Sequence, residues 1–170
     1  LPFFLQGSLG RSDVTTGLLL TPWPLATMIM APLAGRLVER IHAGILGGIG
    51  MTIFAAGLFL LAILPENPTD MDIVWRLFIC GAGFGLFQTP NNSTIISSAP
   101  SNRSGGASGM LGTARLLGQT LGATLVAMIF NLVPNNNTQA CLYLATGFAI
   151  VAAIVSCLRI SQPRPLKGFK

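Results

Sequence analysis

Charge is the scarcest property of this 170-residue chain: Asp, Glu, Lys and Arg together make up 9% of it. Soluble globular proteins carry about a quarter. So few charges cannot cover a soluble fold of this length, and an ordinary water-soluble domain is excluded. Histidine occurs once and cysteine three times. Cys80, Cys141 and Cys157 all fall inside apolar runs without metal-ligand spacing. They read as small buried hydrophobes, and neither a metal nor a cofactor is expected. Basic residues outnumber acidic ones, ten to five. A nucleic-acid surface would cluster them with aromatics. Here they are spaced between long uncharged runs, so no nucleic-acid partner is expected.

Those uncharged runs dominate what is present. Apolar residues reach 51% and the mean hydropathy is +0.67. Crossing the ~30 Å hydrocarbon core takes about 20 helical residues. Residues 14–35, 43–65, 77–102 and 116–158 contain no charged side chain. The last run is too long for one span, and Asn131–Thr138, with Pro134 and three consecutive asparagines, divides it. The pattern predicts an all-α integral membrane bundle over 1–160, with five complete helices at about 14–36, 43–64, 72–98, 106–131 and 138–159. Residues 161–170 form a tail. The opening Leu1-Pro2-Phe3-Phe4-Leu5-Gln6 reads as the end of a helix whose start is missing, so the chain is expected to be a fragment.

Short links make neighbouring helices antiparallel, and the loop charges then sort to two sides. Arg36, Arg40, Arg103, Arg159, Arg164, Lys167 and Lys170 fall on one side, and only Arg11, with Asp13, Glu66, Asp70 and Asp72, on the other. Positive charge beside span ends marks the cytoplasmic face. This predicts a multi-pass protein of the cell (inner) membrane whose C-terminus is cytoplasmic.

Polar groups and broken helices at membrane depth must face protein or a wet cavity, because lipid cannot satisfy them. The helices at 43–64 and 138–159 are almost uniformly apolar and are expected at the lipid. The other three carry the prolines and polar residues and are expected to line a cavity. In the first, Thr21-Pro22-Trp23-Pro24 removes two backbone donors. Trp23 either fills the resulting bend or offers its face to a cation. In the third, Gly81 and Gly85 form a close-packing face, and Phe84, Phe87, Gln88, Asn91 and Asn92 are candidate cavity residues. The fourth offers Gly105 with Gly109 and Gly118 with Gly122 as further close-packing faces, Gln119 as a cavity residue, and Arg115. Arg115 lies about ten residues into the span, roughly 15 Å deep. Exposure to lipid there would cost about 2.5–3.5 kcal/mol. It is expected to face the interior and meet a partner: a carboxylate from elsewhere, a bound anion, or carbonyls freed near Pro90. A structural or gating role is favoured over substrate contact.

In order and spacing these residues resemble a known family. Gly35-Arg36-Leu37-Val38-Glu39-Arg40 is similar to the short cytoplasmic loop of major facilitator transporters. Leu1–Gln6, Gly17-Leu18-Leu19-Leu20-Thr21-Pro22 and Arg115-Leu116-Leu117-Gly118 with Gly122 resemble the C-terminal half of fourteen-helix drug:proton antiporters. Pro22-Trp23-Pro24 and the Gly81–Asn92 run look closest to exporters of methyl viologen and quaternary ammonium compounds. The resemblance implies a six-helix bundle that rocks against an N-terminal half in the lipid bilayer, exporting a lipophilic cation in exchange for protons. It also implies that Gly35, Glu39 and Arg40 help close a cytoplasmic gate; for Glu39 a solvated loop charge is the equal alternative.

None of the five acids lies within a span, so proton coupling is expected to reside in the N-terminal half. An enzyme is not expected: His42 sits in a loop, and no nucleophile–base pair or metal cluster lies at membrane depth. A non-transporting membrane anchor has no use for the polar run Gln88–Thr94. An uptake transporter for a small organic solute stays open, with Arg115 suited to an anion and Trp23, Phe84 and Phe87 to a lipophilic cation.

Overall fold

The computed structural model describes residues 1–65, 67–133 and 136–158, except for the side chains at 8 and 101. No strand occurs among the described residues. A π-helical turn, Phe4–Ser8, is followed by six α-helices: α1 (Asp13–Leu20), α2 (Pro22–Leu37), α3 (Ala43–Ala62), α4 (Asp70–Ser97), α5 (Ser104–Leu132) and α6 (Asn137–Leu158). The expected boundary at Arg159 and the break at Pro134 lie outside the described residues, as do Glu66 and the tail.

Helix starts follow from local chemistry. The Ser12 hydroxyl accepts from the Thr15 amide at 3.3 Å, and His42 Nδ1 accepts from the Gly44 amide at 3.1 Å. Thr69 and Asp72 form a reciprocal capping box at the head of α4, satisfying two amides that the first turn leaves without helical acceptors. The helix expected at 14–36 has a joint. Pro22 has no N–H to offer the Leu18 carbonyl, which takes the Thr21 amide at 3.2 Å instead. Asp13–Leu37 nonetheless reads as one candidate span of 25 residues. Ala43–Ala62, Ser104–Leu132 and Asn137–Leu158 are also long and apolar enough to cross a membrane. α4 has the length, but Asp70, Asp72, Arg76 and the run from Gln88 to Thr94 lower its apolarity.

Glycine sets the helix spacing. A Cβ at Gly83 would lie 2.5 Å from the Phe54 amide nitrogen, and one at Gly50 would lie 2.7 Å from that of Phe87. Backbone therefore meets backbone between α3 and α4. Gly81 and Gly85 do the same toward α2, where a Cβ would meet the carbonyl oxygens of Trp23 and Thr27. α4 is thus clamped between α2 and α3. On its other side α3 meets α6, where Gly47 and Gly48 receive Ser156 and Cys157. The main core, including Leu58, Leu61, Ile73, Leu77 and Cys80, lies chiefly between α3 and α4, with Ala149 and Ala153 from α6.

Two expectations change here. The helix at 43–64 is not simply a lipid-facing one: α3 is the most covered of the candidate spans. Only a stripe with Ile45, Ile49, Phe59 and Ile63 stays exposed. α5 is the opposite case, since none of its residues is buried. Gly105, Gly109, Gly118 and Gly122 have nothing within 4 Å of a would-be Cβ, so these glycines pack nothing among the described residues. Phe130 meets Phe3 edge-on, with ring centroids 5.8 Å apart.

Candidate functional site

The proline joint carries Trp23 into an aromatic cluster. Its ring stands edge-on to Phe54 of α3, with centroids 5.5 Å apart, and tilted to Phe84 of α4 at 6.1 Å. Phe54 and Phe84 lie 5.8 Å apart, which closes a triangle contributed by three helices. All three side chains are half-buried. These are ordinary separations for favourable aromatic pairs. Pro24 and Pro32 also lack the N–H groups that would bond the carbonyls of Leu20, at the end of α1, and of Met28, within α2. The backbone before and after Trp23 therefore carries carbonyls without their i+4 amide donors.

The α2–α4 seam beside this cluster is polar at one point. The Thr27 hydroxyl donates to the Trp23 carbonyl at 3.0 Å and to the Gly81 carbonyl at 3.1 Å. Further along α4, Gln88, Asn91 and Asn92 are half-buried. Thr94 takes its hydroxyl proton to the Pro90 carbonyl at 2.7 Å. Phe87 lies on the α3 side, 3.5 Å from where a Gly47 Cβ would stand, and packs against the core. It shares the helix of Phe84 but is not in the aromatic triangle.

The other sequence candidates lie apart. Gln119 and Arg115 are exposed on α5, and the Arg115 side chain has no hydrogen bond or ion pair with any described residue. The expected interior partner of Arg115 is not among them. Glu39 and Arg40 are exposed in the turn after α2, and their side chains pair with no described residue. Gly35 has open space around it. Among the described residues, Arg76 is a cation that the bundle covers. Its side chain is 12% exposed, lies 4.7 Å above the Trp75 ring and donates to the Asp72 carbonyl at 3.2 Å.

Phe54 and Thr27 were not singled out by sequence reasoning. A signal exists for Phe54: it shares a helical face with Gly50 and Gly57, both of which admit α4. Thr27 stands four residues after Trp23, where a Thr hydroxyl reaches back to a carbonyl. A groove of about 440 Å³ lies elsewhere. Thr52, Ala55, Ile150, Ala153, Ile154, Cys157 and Leu158 line it, between α3 and α6. Its one hydroxyl, on Thr52, donates to the Gly48 carbonyl at 2.9 Å, and the rest of its lining is apolar apart from the Cys157 thiol. Among the described residues no group of His, Cys, Asp and Glu could hold a metal ion.

Comparison with known proteins agrees with this architecture. The family model of the Major Facilitator Superfamily matches residues 1–170. The chain belongs to the major facilitator superfamily. It is 65% identical over 164 residues to the uncharacterized transporter YebQ of Escherichia coli K12, covering 96% of this chain and 36% of YebQ. Multidrug resistance protein Stp of Mycobacterium tuberculosis is 32% identical over 126 residues, 74% of this chain and 23% of Stp. Riboflavin transporter RibZ of Clostridioides difficile is 29% identical over 130 residues, 76% of this chain and 28% of RibZ. The chain thus spans roughly a third or less of the curated relatives it matches. Its apolar helices and its family together make it a multi-pass membrane protein.

Proposed function

We propose that this chain forms the C-terminal wall of an exporter for lipophilic cations, quaternary ammonium compounds among them, driven by proton exchange across the inner membrane. The observation that carries the reading is the Trp23–Phe54–Phe84 triangle at the proline joint. A desolvated cation over an aromatic face gains about 2 kcal/mol or more. The carbonyls of Leu20 and Met28, without their helical donors, add partial negative charge without adding an acid. The half-buried amides of Gln88, Asn91 and Asn92 supply polar contacts farther along α4. Similarity to a multidrug resistance protein supports the same direction.

In this reading the proton-exchanging carboxylates come from the N-terminal half. Asp13, Asp70 and Asp72 occupy first helical turns and Glu39 is an exposed turn residue. None of them is at the depth of the aromatic triangle. Gln119 and Arg115, on the uncovered α5, face the second bundle, and Gly35, Glu39 and Arg40 form the cytoplasmic closure. Alternating access follows from rocking of one bundle against the other.

The test is ethidium efflux from cells expressing the full-length transporter, with wild type compared with Trp23→Ala and Phe84→Ala at matched expression. Both variants are expected to lose most of the efflux, and a protonophore is expected to abolish it in wild type. Undiminished efflux by both variants overturns the reading. Similarity to RibZ favours a second reading, uptake of a flat uncharged heteroaromatic solute stacked on Trp23. Accumulation of such a solute without ethidium efflux would select it.

A further inference from the structure

Trp23 owes its position to a contact between backbones. Along α2, Trp23, Ala26, Thr27 and Met30 lie on one helical face and meet α4 at Gly81 and Gly85. A Cβ at Gly81 would collide with the Trp23 carbonyl and stand 2.9 Å from the Ala26 Cβ. A Cβ at Gly85 would stand 3.0 Å from the Thr27 carbonyl and 3.1 Å from the Met30 Cβ. These glycines allow close approach, but an apolar seam does not by itself fix how far one helix slides along the other. The fixing element is the Thr27 hydroxyl. Its single proton is shared between the carbonyl of Trp23 in its own helix, at 3.0 Å, and that of Gly81 across the seam, at 3.1 Å.

We propose that Thr27 is a positioning residue for substrate recognition: by tying the Trp23 carbonyl to the Gly81 carbonyl it fixes the register of α2 on α4, and so the placement of the Trp23 ring against Phe84 and Phe54. This rests on the cation reading above. The joint at Thr21–Pro22 makes such a tie necessary, because Pro22 and Pro24 remove the helical bonds that would otherwise stiffen the segment. The hydroxyl never touches the substrate. Its loss is felt as weaker binding, with turnover little changed.

The experiment uses the full-length transporter in membrane vesicles and measures KM and kcat for ethidium in Thr27→Val, Thr27→Ser and Trp23→Ala. Valine keeps the volume and loses the hydroxyl, whereas serine keeps the hydroxyl. Thr27→Val is expected to raise KM about three- to tenfold with kcat within about twofold, the worth of one hydrogen bond. Thr27→Ser is expected to stay near wild type, and Trp23→Ala to raise KM at least as much as the valine variant. Wild-type KM for Thr27→Val beside an impaired Trp23→Ala overturns the positioning role and leaves the cation reading standing. Wild-type behaviour of Trp23→Ala overturns both. Equal damage from valine and serine assigns the effect to shape alone and overturns the proposal. If the valine variant does not accumulate, Thr27→Cys, of similar size and a weak donor, takes its place with the same expected rise in KM.

Discussion

Ser156 of α6 donates its hydroxyl to the carbonyl of Gly44 at the start of α3, 3.2 Å away and 112 residues distant in sequence. Gly47 makes the approach possible, since a Cβ there would sit 2.6 Å from the Ser156 Oγ. Between membrane helices such bonds contribute about 0.6 kcal/mol on average. Ser156→Ala is therefore expected to lower the stability of the full-length protein by about that amount. The check is the midpoint of thermal unfolding in detergent. An unchanged midpoint would show that the bond contributes nothing.

Glycine substitutions separate into three classes by what a new methyl would meet. At Gly83 and Gly50 the obstacle is backbone of the opposing helix, which cannot turn aside. Gly83→Ala is expected to cost about 1–3 kcal/mol through overpacking. At Gly47 the nearest atom is the end of the Ser156 side chain, which can rotate away, so Gly47→Ala is expected to cost less. At Gly106 nothing lies within 4 Å, and alanine is expected to gain up to about 1 kcal/mol from helix propensity. Unfolding midpoints of the three variants give the order, and a Gly83→Ala protein as stable as wild type would refute it.

How much of this was legible beforehand depends on whether a residue's chemistry tells lipid from protein. Trp23 between two prolines announced a bend with an aromatic in it, and Phe84 beside Gly81 and Gly85 announced a close seam. Both features point to the same helix pair. Phe54 and the central position of α3 were not legible. An Ile–Leu–Phe–Ala helix is equally at home in hydrocarbon and in a protein core, so composition alone cannot choose. The α5 glycines are a related case. Small residues permit close approach, but a neighbour must be present to use it, and Gly105 to Gly122 meet none among the described residues. The stacking of Arg76 over the Trp75 ring was not legible, because a position within the span at 72–98 does not say which side chain covers the charge.

The head of α4 is held by two devices of unequal worth. Thr69 and Asp72 exchange hydrogen bonds in a capping box, with the Thr69 hydroxyl donating to the Asp72 carboxylate at 2.7 Å and accepting from its amide at 3.2 Å. Arg11 pairs with Asp70 across 59 residues, but both side chains are well exposed. Thr69→Ala is expected to cost about 1 kcal/mol. Arg11→Ala is expected to cost less, because exposed pairs are worth about 0–1 kcal/mol and are screened by salt. Unfolding midpoints at low and high salt test the ranking. Only the Arg11 deficit is expected to shrink as salt rises.

The distribution of arginine and lysine predicts an orientation with Arg36, Arg40 and Lys167 on the side opposite Asp70. Single cysteines at Asp70 and at Lys167, introduced into a cysteine-free full-length protein, are expected to behave oppositely toward an impermeant thiol reagent in intact cells. The one at position 70 reacts and the one at 167 is protected. The reverse pattern would invert the topology and move the Glu39–Arg40 turn to the outside.

Arg115 joins the depth argument to the exposure of α5. By sequence it lies about 15 Å into its span, where exposure to lipid costs about 2.5–3.5 kcal/mol. In the structure it is exposed, on a helix none of whose residues is buried, and no described residue pairs with it. The proposed apposition of a second bundle against α5 would reconcile the two: the surface that is open here would become the bundle interface, where the guanidinium would find its acceptor. Arg115→Ala is then expected to cut transport by the full-length protein at least tenfold, about 1.4 kcal/mol or more, as expected for breaking a covered ion pair. Arg103→Ala, in the exposed turn before α5, is expected to leave transport within about twofold, as surface charges usually do. Lysine at 115 is expected to restore the charge but not the planar fork of donors, giving an intermediate rate. Ethidium efflux at matched expression decides, and normal transport by Arg115→Ala would remove this residue from gating and from the bundle interface alike.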